Sequence, residues 1–379
     1  MYARLFKPSF KKSFFLFGPR GTGKTTWIHQ NLPESAVLNL LDDELYRRLL
    51  ARPETLLDWI PKHQQKAPIV IDEVQKVPAL LNEVHRLIEA KRFTFVLTGS
   101  SARKLRHGAA NLLAGRAYRH ELFPLTSVEM GREFDIKKAL RVGMLPSINQ
   151  EPNPKAYLDA YVSTYLKEEV QQEGLTRNIA AFARFLEVAS FSQAQPLVVS
   201  NVSHDCSIER KVVEDYFQIL EDLMIASRLP VFSKRAKREL YGKSKFYFFD
   251  AGVYQNIRPK GPLDSTEELQ GSAFETLVYQ ELKALNSYLQ WEYELFYWRT
   301  KSKHEVDLVL YGEKGLHAIE VKASSRIRKE DMESLKLFAS DYPSSSLTMV
   351  YLGTKEYEES GIRVIPASDF FLRSVEFFG

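Results

Sequence analysis

Cysteine is almost absent from this chain, which has a single one, Cys206, among its 379 residues. One cysteine excludes an internal disulfide and fits a reducing compartment, so we expect a cytoplasmic protein. Cys206 has too few neighbours of metal-ligand type for a thiolate metal site. Burial as a small apolar side chain is the simpler expectation for it.

Long apolar runs are also missing. No stretch of about 18 consecutive apolar residues occurs, so we expect no membrane-spanning helix. The first residues lack the apolar core and cleavage pattern of a signal peptide, and secretion is therefore not expected. The net charge is only +4, which permits contact with nucleic acid without requiring it. The length predicts two or three domains.

The segment Gly18–Thr25 reads GPRGTGKT, which matches the phosphate-binding loop G-x-x-x-x-G-K-[ST] at every required position. An apolar run leads into it and a helix-compatible run leaves it, as this motif requires. Glycines let backbone N–H groups and a helix N-terminus face phosphate oxygens. Lys24 is expected to reach the β- and γ-phosphates, and the Thr25 hydroxyl to ligate Mg²⁺.

Two further apolar runs end in polar residues. The run IVI ends in Asp72 and Glu73, as a buried parallel strand with function at its C-terminal end would. Asp72 is expected to hold Mg²⁺, and Glu73 to act as general base toward the attacking water. The next run ends near Ser100, which suits γ-phosphate sensing, although a plain strand-to-helix turn is the alternative. The predicted nucleotide-contacting residues are Gly18, Pro19, Arg20, Gly21, Thr22, Gly23, Lys24, Thr25, Thr26, Asp72 and Ser100.

These segments together resemble an AAA-type P-loop ATPase. With the later sequences LTGSSARKL and LLAGRAYRHELFPLTSVE, the whole chain is similar to a prokaryotic family of such ATPases with an appended C-terminal domain. The resemblance implies ATP, ADP and Mg²⁺ as ligands and a homo-oligomer. It also implies that Arg116, or alternatively Arg103, reaches the γ-phosphate of a neighbouring subunit. The alternative for Arg116 is a surface ion pair with a carboxylate.

The pattern becomes mainly helical after a proline pair near residue 150. Amphipathic helices are expected over Ala156–Glu169, Ala180–Phe191 and Glu209–Met224, with Ser207 as a candidate N-cap for the third. Paired strands are expected around 225–233 and 245–249. A helix–turn–helix followed by a hairpin is typical of a winged helix.

The predicted hairpin is rich in basic residues. A basic, flexible wing can contact DNA phosphates without reading sequence, whereas the alternative is a solvated loop that aids solubility. The residues concerned are Arg228, Lys234, Arg235, Lys237, Arg238, Lys243 and Lys245.

A second group of charged residues lies in the last third of the chain. Asp307 and Glu320 are 13 residues apart on two strands joined by a tight turn, so they are expected to lie side by side. Lys322 follows Glu320 by two residues and shares its face of the strand. Glu275, on the preceding helix, is the candidate third carboxylate.

The pattern Asp…Glu-x-Lys resembles the PD-(D/E)xK nuclease superfamily, although Val306 replaces the usual proline before the aspartate. Such a site would use Mg²⁺ held by Glu275, Asp307 and Glu320 to hydrolyse a phosphodiester, with Lys322 orienting water or offsetting charge. The alternative is a degenerate domain that only holds DNA or a partner.

The sequence therefore predicts an α/β protein of three domains. Residues 1–150 are an AAA-type P-loop ATPase domain with a parallel sheet, residues 151–262 a helical and winged-helix domain, and residues 263–379 an α/β restriction-endonuclease-like domain. The predicted function is ATP hydrolysis that controls access to DNA or its metal-dependent cleavage. The alternative is an assembly or signalling ATPase whose C-terminal domain is an inactive binding module.

Overall fold

Short apolar runs of the first third of the chain form a five-stranded parallel sheet in the computed structural model. Its strands are β1 (Ser13–Phe17), β2 (Val37–Asn39), β3 (Ile69–Asp72), β4 (Phe95–Gly99) and β5 (Ala117–Glu121). They lie in the order β2-β3-β4-β1-β5, and all neighbouring pairs are parallel. The three central strands are buried along their whole length, as expected for a parallel sheet covered on both faces. The predicted parallel α/β architecture is confirmed here.

Helices cover this sheet. They are α1 (Lys24–Asn31), α2 (Asp43–Ala51) and α3 (Leu80–Glu89). α1 begins directly after the glycine-rich loop, and α2 is capped by the Asp42 side chain, which accepts hydrogen bonds from two backbone N–H groups. Because the strands are parallel, the loops after β1, β3 and β4 meet at one edge of the sheet, and the predicted nucleotide residues lie there.

The structure describes residues 2–61, 67–100, 113, 115–172, 178–262 and 264–379. They form two compact units. The N-terminal unit comprises residues 6–123 and 222–224, and the C-terminal unit comprises residues 1–5, 124–221 and 225–379. These limits differ from the predicted boundaries, because the predicted middle and C-terminal domains share one compact unit. The division into three domains stays a prediction.

The other α-helices of the described ranges lie in the C-terminal unit, except that the last residue of the helix 210–222 belongs to the N-terminal unit. They are α4 (Ser127–Met130), α5 (Ile136–Val142), α6 (Pro154–Ala160), α7 (Leu166–Gln172), α8 (Ile179–Ser190), α9 (Val199–Cys206), α10 (Arg210–Asp222), α11 (Ala251–Ile257), α12 (Thr266–Tyr288), α13 (Glu333–Asp341) and α14 (Ala367–Phe378). No helix within the described ranges is both long and apolar enough to cross a membrane.

A small antiparallel sheet accompanies helices α8 to α10. Its strands are β6 (Gln195–Pro196), β7 (Ala226–Leu229) and β8 (Lys245–Phe248), in the order β6-β8-β7. The expected pairing of the two longer strands is confirmed. The Ser207 prediction is wrong: this residue ends α9 with a left-handed backbone (φ 55°), and α10 begins at Arg210.

The C-terminal unit also contains a six-stranded mixed sheet. Its strands are β9 (Glu294–Arg299), β10 (Glu305–Gly312), β11 (Gly315–Lys322), β12 (Ser346–Tyr351), β13 (Tyr357–Glu359) and β14 (Ile362–Pro366). The order is β13-β14-β12-β11-β10-β9. β9, β10 and β11 form an antiparallel meander, whereas β12 pairs in parallel with both β11 and β14.

The segment between β7 and β8 is fastened to the edge of this larger sheet. Phe232 N–H donates to the Tyr297 carbonyl at 2.6 Å, and Tyr241 N–H donates to the Arg299 carbonyl at 2.9 Å. The Phe232 side chain is buried in the core of the sheet. The expectation of a flexible wing is therefore wrong at both ends of the segment, because strand β9 pairs with it.

Candidate functional site

Glycines shape the loop between β1 and α1. Gly21 and Gly23 have φ values of 84° and 89°, a backbone region that other residues rarely adopt. A Cβ on Gly18 would lie 2.4 Å from the Leu122 carbonyl oxygen. Within the described part of the chain no side chain caps the N-terminus of α1, which leaves its first N–H groups directed at the loop as an anion site requires.

Lys24 reaches across this loop. Its Nζ donates to the carbonyl oxygens of Gly18 at 2.7 Å and Pro19 at 3.2 Å, and the side chain is largely buried. Thr22 is also buried, and its hydroxyl donates to Pro19 at 2.9 Å. Arg20 and Thr26 are exposed at the rim of the same loop. The loop thus places a cation where the phosphates of a nucleotide would lie.

Asp72 connects the loop to the ends of β3 and β4. The Thr25 hydroxyl lies 3.4 Å from Asp72 Oδ2, and the Thr98 hydroxyl donates to Asp72 Oδ1. A threonine hydroxyl and a carboxylate are hard oxygen donors of the kind that Mg²⁺ takes, so these residues fit the ion. The structure brings the predicted pair together and adds Thr98, which orients the carboxylate.

Glu73 is held in an unusual backbone conformation. Its φ is 60°, which is uncommon for a residue other than glycine and is found preferentially at functional sites. Gln75 Nε2 donates to Glu73 Oε2 and, at 3.3 Å, to the Ser100 hydroxyl. Gln75 therefore joins the predicted general base to the predicted sensor. Nothing in the sequence pointed to this residue, because a glutamine within a short turn carries no motif.

Arg116 forms an ion pair with Glu89 inside the N-terminal unit. Both side chains are about half exposed, at 40% and 53%. This is the surface pairing that the sequence left open as the alternative to a role toward a neighbouring subunit. The other candidate, Arg103, lies outside the described residues.

The hairpin of β10 and β11 brings the predicted carboxylates together. Leu308 pairs with Ile319, which places Asp307 opposite Glu320 at the next position. Both carboxylates are buried. Asp307 Oδ2 accepts from the Val321 N–H at 2.9 Å, and Lys322 Nζ lies 2.7 Å from Glu320 Oε1. The predicted side-by-side acids and the shared face of Glu320 and Lys322 are present.

Glu275 joins this group through a residue that the sequence placed elsewhere. Lys245, expected on an exposed wing, is completely buried. Its Nζ lies 2.7 Å from Glu275 Oε1, 2.7 Å from Glu305 Oε1 and 3.1 Å from Asp307 Oδ1. We call Lys245, Glu275, Glu305 and Asp307 the lysine–carboxylate cluster. The prediction that Lys245 contacts DNA is wrong, because its ammonium group has no access to solvent.

The predicted metal site of Glu275, Asp307 and Glu320 is also not present in this arrangement. Across the described ranges, no three side chains of histidine, cysteine, aspartate or glutamate are placed to hold a metal ion. The physical reason is that Lys245 Nζ occupies Glu275 Oε1 and Asp307 Oδ1, while Lys322 occupies Glu320 Oε1.

Burial changes the protonation of these acids. Removal from water, and next the charge of Asp307, raises the pKa of Glu275 to about 8 and that of Glu320 to about 8. Burial would lower the pKa of Lys322, but Glu320 and Asp307 outweigh it and raise that pKa. Glu320 Oε2 is buried and has no hydrogen-bond partner among the residues that the structure describes. One side of this carboxyl group is therefore left unsatisfied.

Three basic residues in β7 and in the segment between β7 and β8 pair with acids. Arg228 pairs with Glu221 at 2.6 Å, Lys234 with Glu294 at 2.5 Å and Arg238 with Asp341 at 2.6 Å. Arg235, Lys237 and Lys243 are exposed. The cationic surface that could meet a polyanion is thus smaller than the sequence suggested.

Comparisons with known families divide the chain into three consecutive matches. Residues 10–131 match the family model described as an AAA domain. Residues 133–264 match a domain of unknown function, DUF8612, and residues 270–370 match another, DUF4143. The first match covers the loop, Asp72 and Glu73, so the N-terminal part of the chain is an AAA-type P-loop domain.

Relatives align with most of the chain at low identity. An uncharacterized protein of Mycobacterium tuberculosis is 26% identical over 367 residues, covering 94% of this chain and 80% of the relative. An uncharacterized protein of Methanocaldococcus jannaschii is 23% identical over 385 residues, covering 93% and 84%.

Solved structures resemble the chain only weakly. The Aeropyrum pernix ORC2 protein, solved in ADPNP–ADP complexes, has a TM-score of 0.36 at 10% identity, covering 71% of this chain and 88% of that one. The DNA clamp loader delta protein of Bacillus subtilis has a TM-score of 0.24 at 13% identity, covering 55% and 83%. Scores of this size do not establish a common fold for the whole chain.

Proposed function

We propose that this protein is an ATPase whose nucleotide state controls the binding of DNA by the rest of the chain. The observation that carries the first half is the meeting of Lys24, Thr25 and Asp72 at one edge of a parallel sheet, with Glu73 beside them. Lys24 would neutralise the β- and γ-phosphates. Thr25 and Asp72 would hold Mg²⁺, which supplies charge compensation at the phosphates.

Hydrolysis requires a base beside this site. Glu73 would accept a proton from the attacking water while Gln75 holds its carboxylate in place, at the distance of one hydrogen bond. Ser100, bonded to the same glutamine, would sense whether the γ-phosphate is present. The strained backbone of Glu73 supports this role, because such strain persists only where the surrounding structure enforces it.

Two substitutions separate binding from hydrolysis. Lys24→Ala should weaken ATP binding at least tenfold by calorimetry, because the buried cation facing the phosphates is lost. Glu73→Gln should bind ATP with wild-type affinity and hydrolyse it at least a hundredfold more slowly, since the amide keeps the shape but cannot accept the proton. Arg47→Ala, an exposed change on α2, is the matched control. Unchanged ATP affinity in Lys24→Ala would refute the site.

The DNA part of the proposal is supported by exposed cations of the C-terminal unit. Arg235, Lys237 and Lys243 lie in one basic segment, and Arg326 and Lys329 lie soon after Lys322. Phosphate contacts of this kind give affinity without sequence preference. Fluorescence anisotropy with a labelled duplex should therefore show salt-dependent binding that differs between an ATP analogue and ADP. Equal affinity in both nucleotide states, or none, would refute the coupling.

Within this function, the C-terminal domain has two candidate roles. A nuclease-like domain would cleave DNA with Mg²⁺ held by Asp307 and Glu320, and a binding module would hold DNA without cleaving it. The position of Lys245 favours the binding module, since its ammonium group already contacts Glu275 and Asp307, two of the three predicted metal ligands. Plasmid cleavage that requires Mg²⁺ and disappears in Asp307→Asn would decide for the nuclease. DNA binding without cleavage would decide for the module.

A further inference from the structure

We infer that the Lys245 ammonium group is the permanent cation of the lysine–carboxylate cluster in the C-terminal unit, and that it excludes a divalent metal ion from this cluster. The inference deepens the binding-module form of the proposed function. It concerns only the C-terminal unit, so its test does not depend on ATP hydrolysis.

The geometry around Lys245 Nζ is that of a complete ammonium site. An ammonium group has three N–H donors, and three carboxylate oxygens lie around this one at 2.7, 2.7 and 3.1 Å. The side chain has no exposed surface. Each donor therefore has one acceptor, as a fully buried charge requires.

The carboxylates come from elements that are separate from the lysine. Lys245 begins strand β8 of the small sheet, Glu275 lies on α12, and Glu305 and Asp307 lie on β10 of the large sheet. The ammonium group thus links three elements of one compact unit. Lys245 is covalently part of strand β8, so its contacts join that strand to the acids. A divalent ion held by the same acids would not be attached to β8 in this way.

Size also separates the two cations. Mg²⁺ requires oxygen ligands at about 2.0–2.1 Å, whereas the oxygens around Nζ are at ammonium hydrogen-bonding distances. A metal could enter only if the lysine withdrew and the carboxylates closed in. Within the described residues the acids are not placed to hold a metal, as this exclusion requires.

Neighbouring side chains of this protein also compensate the charge of the acids. Arg299 lies 2.7 Å from the second oxygen of Glu305, and Lys322 lies 2.7 Å from Glu320. Glu275 also accepts a hydrogen bond from the Tyr247 hydroxyl. The acids are thus largely compensated by side chains of this chain, and an additional divalent cation is not needed to balance them.

The test measures Mn²⁺ binding in the absence of nucleotide. Asp72→Asn serves as the background, because it removes the separate ion site of the N-terminal unit. This protein should bind no Mn²⁺ below millimolar concentration by electron paramagnetic resonance. Adding Lys245→Met should create a site at least tenfold tighter. It should also lower the melting temperature by on the order of 10 °C, because the buried Asp307 and the partly buried Glu275 and Glu305 lose the ammonium group that they bond, and Mn²⁺ should restore part of that loss.

Two further variants keep the test decisive. Lys243→Met removes an exposed lysine two residues earlier and should change neither Mn²⁺ binding nor melting. If Lys245→Met fails to fold, Lys245→Met with Glu275→Gln replaces one of the acids that lost its partner by a neutral amide and should melt closer to the background protein. The inference is overturned if the background protein binds Mn²⁺ through Asp307, or if removing Lys245 creates no Mn²⁺ site. No recovery of folding in the double variant would also overturn it.

Discussion

At the scale of single residues, a proton on the buried carboxyl group of Glu281 explains the hydrogen bonds around it. The Ser127 hydroxyl lies 2.6 Å from Glu281 Oε1 and 2.8 Å from the Phe371 carbonyl oxygen. A hydroxyl has one hydrogen and cannot donate to both. If Glu281 is protonated, it donates to Ser127, and Ser127 donates to Phe371. Burial raises the pKa of Glu281 to about 8, which agrees with this arrangement.

The raised pKa makes folding stability depend on pH with a definite sign. Between about 4.5 and 8, the folded state keeps a proton on Glu281 that the unfolded chain has lost, so this residue's contribution to stability falls as pH rises. Glu281→Gln, which resembles the protonated acid, should gain stability relative to wild type by up to about 1.4 kcal/mol per pH unit in this window. Urea unfolding at pH 5, 6, 7 and 8 measures the difference.

Ser127→Ala is the control for this prediction. It removes the hydroxyl between Glu281 and Phe371 and should destabilise the protein by roughly 1–2 kcal/mol while leaving the acid in place. Its pH dependence should stay close to that of wild type. A constant stability difference between Glu281→Gln and wild type from pH 5 to pH 8 would show that Glu281 is not protonated in the folded state.

Single residues also mark where sequence reasoning ends. The loop from Gly18 to Thr25 was predictable because phosphate binding fixes residue types at fixed spacings. Lys245 was not, because a lysine in a basic segment is normally solvated, and its acids are contributed by residues 30 to 62 positions away. The one available signal is that Lys245 directly precedes the buried run Phe246–Phe248.

At the scale of elements, a close crossing of α5 and α11 depends on two glycines. Asp250 caps α11 by accepting from Gly252 and Val253, and its other oxygen accepts from Met144 just beyond α5. Gly143, with φ 79°, leaves room for that carboxylate. A Cβ on Gly252 would lie 2.1 Å from the Val142 carbonyl group. The two helices can approach this closely only without side chains at the contact.

Gly252→Ala should therefore destabilise the protein by about 3 kcal/mol, because the new methyl group meets backbone atoms that cannot rotate away. Gly271→Ala is the matched control: this glycine lies within α12, and no atom of the described residues would lie within 4 Å of its Cβ. It should stabilise the helix by about 0.5–1 kcal/mol. Denaturant unfolding of both variants measures the two effects. Destabilisation by both, or by neither, would contradict the crossing.

Secondary-structure elements were predictable where the sequence pattern that indicates them is local. The strands of the parallel sheet and the β10–β11 hairpin were expected from short apolar runs and a turn. The attachment of the basic segment to β9 was not expected, since it is edge pairing between residues about 60 positions apart. A flexible wing and a paired edge segment have the same composition, and only the neighbouring strand distinguishes them.

At the scale of the whole molecule, the resemblance to AAA-type ATPases bears on assembly. Sites of this class commonly lie at subunit borders, so the proposed ATPase should associate when it binds nucleotide. Arg116 is the residue proposed to complete a neighbour's site, although in the described chain it pairs with Glu89. That pair is half exposed, and an exposed ion pair contributes little to stability. Releasing Arg116 toward a partner would therefore cost little.

Arg116→Ala should lower the rate of ATP hydrolysis at least tenfold, because a transferred arginine compensates charge on the phosphate in the transition state. ATP affinity should change little, since the phosphate loop is intact. Glu89→Gln separates this role from the surface pair: it also breaks the pair but keeps the arginine, so its rate should stay near that of wild type. Light scattering at micromolar concentration, with a nonhydrolysable ATP analogue, should show a mass above that of the monomer. Equal loss of activity in both variants would mean that Arg116 acts only through Glu89. A monomer that hydrolyses ATP at the wild-type rate would exclude a site shared between subunits.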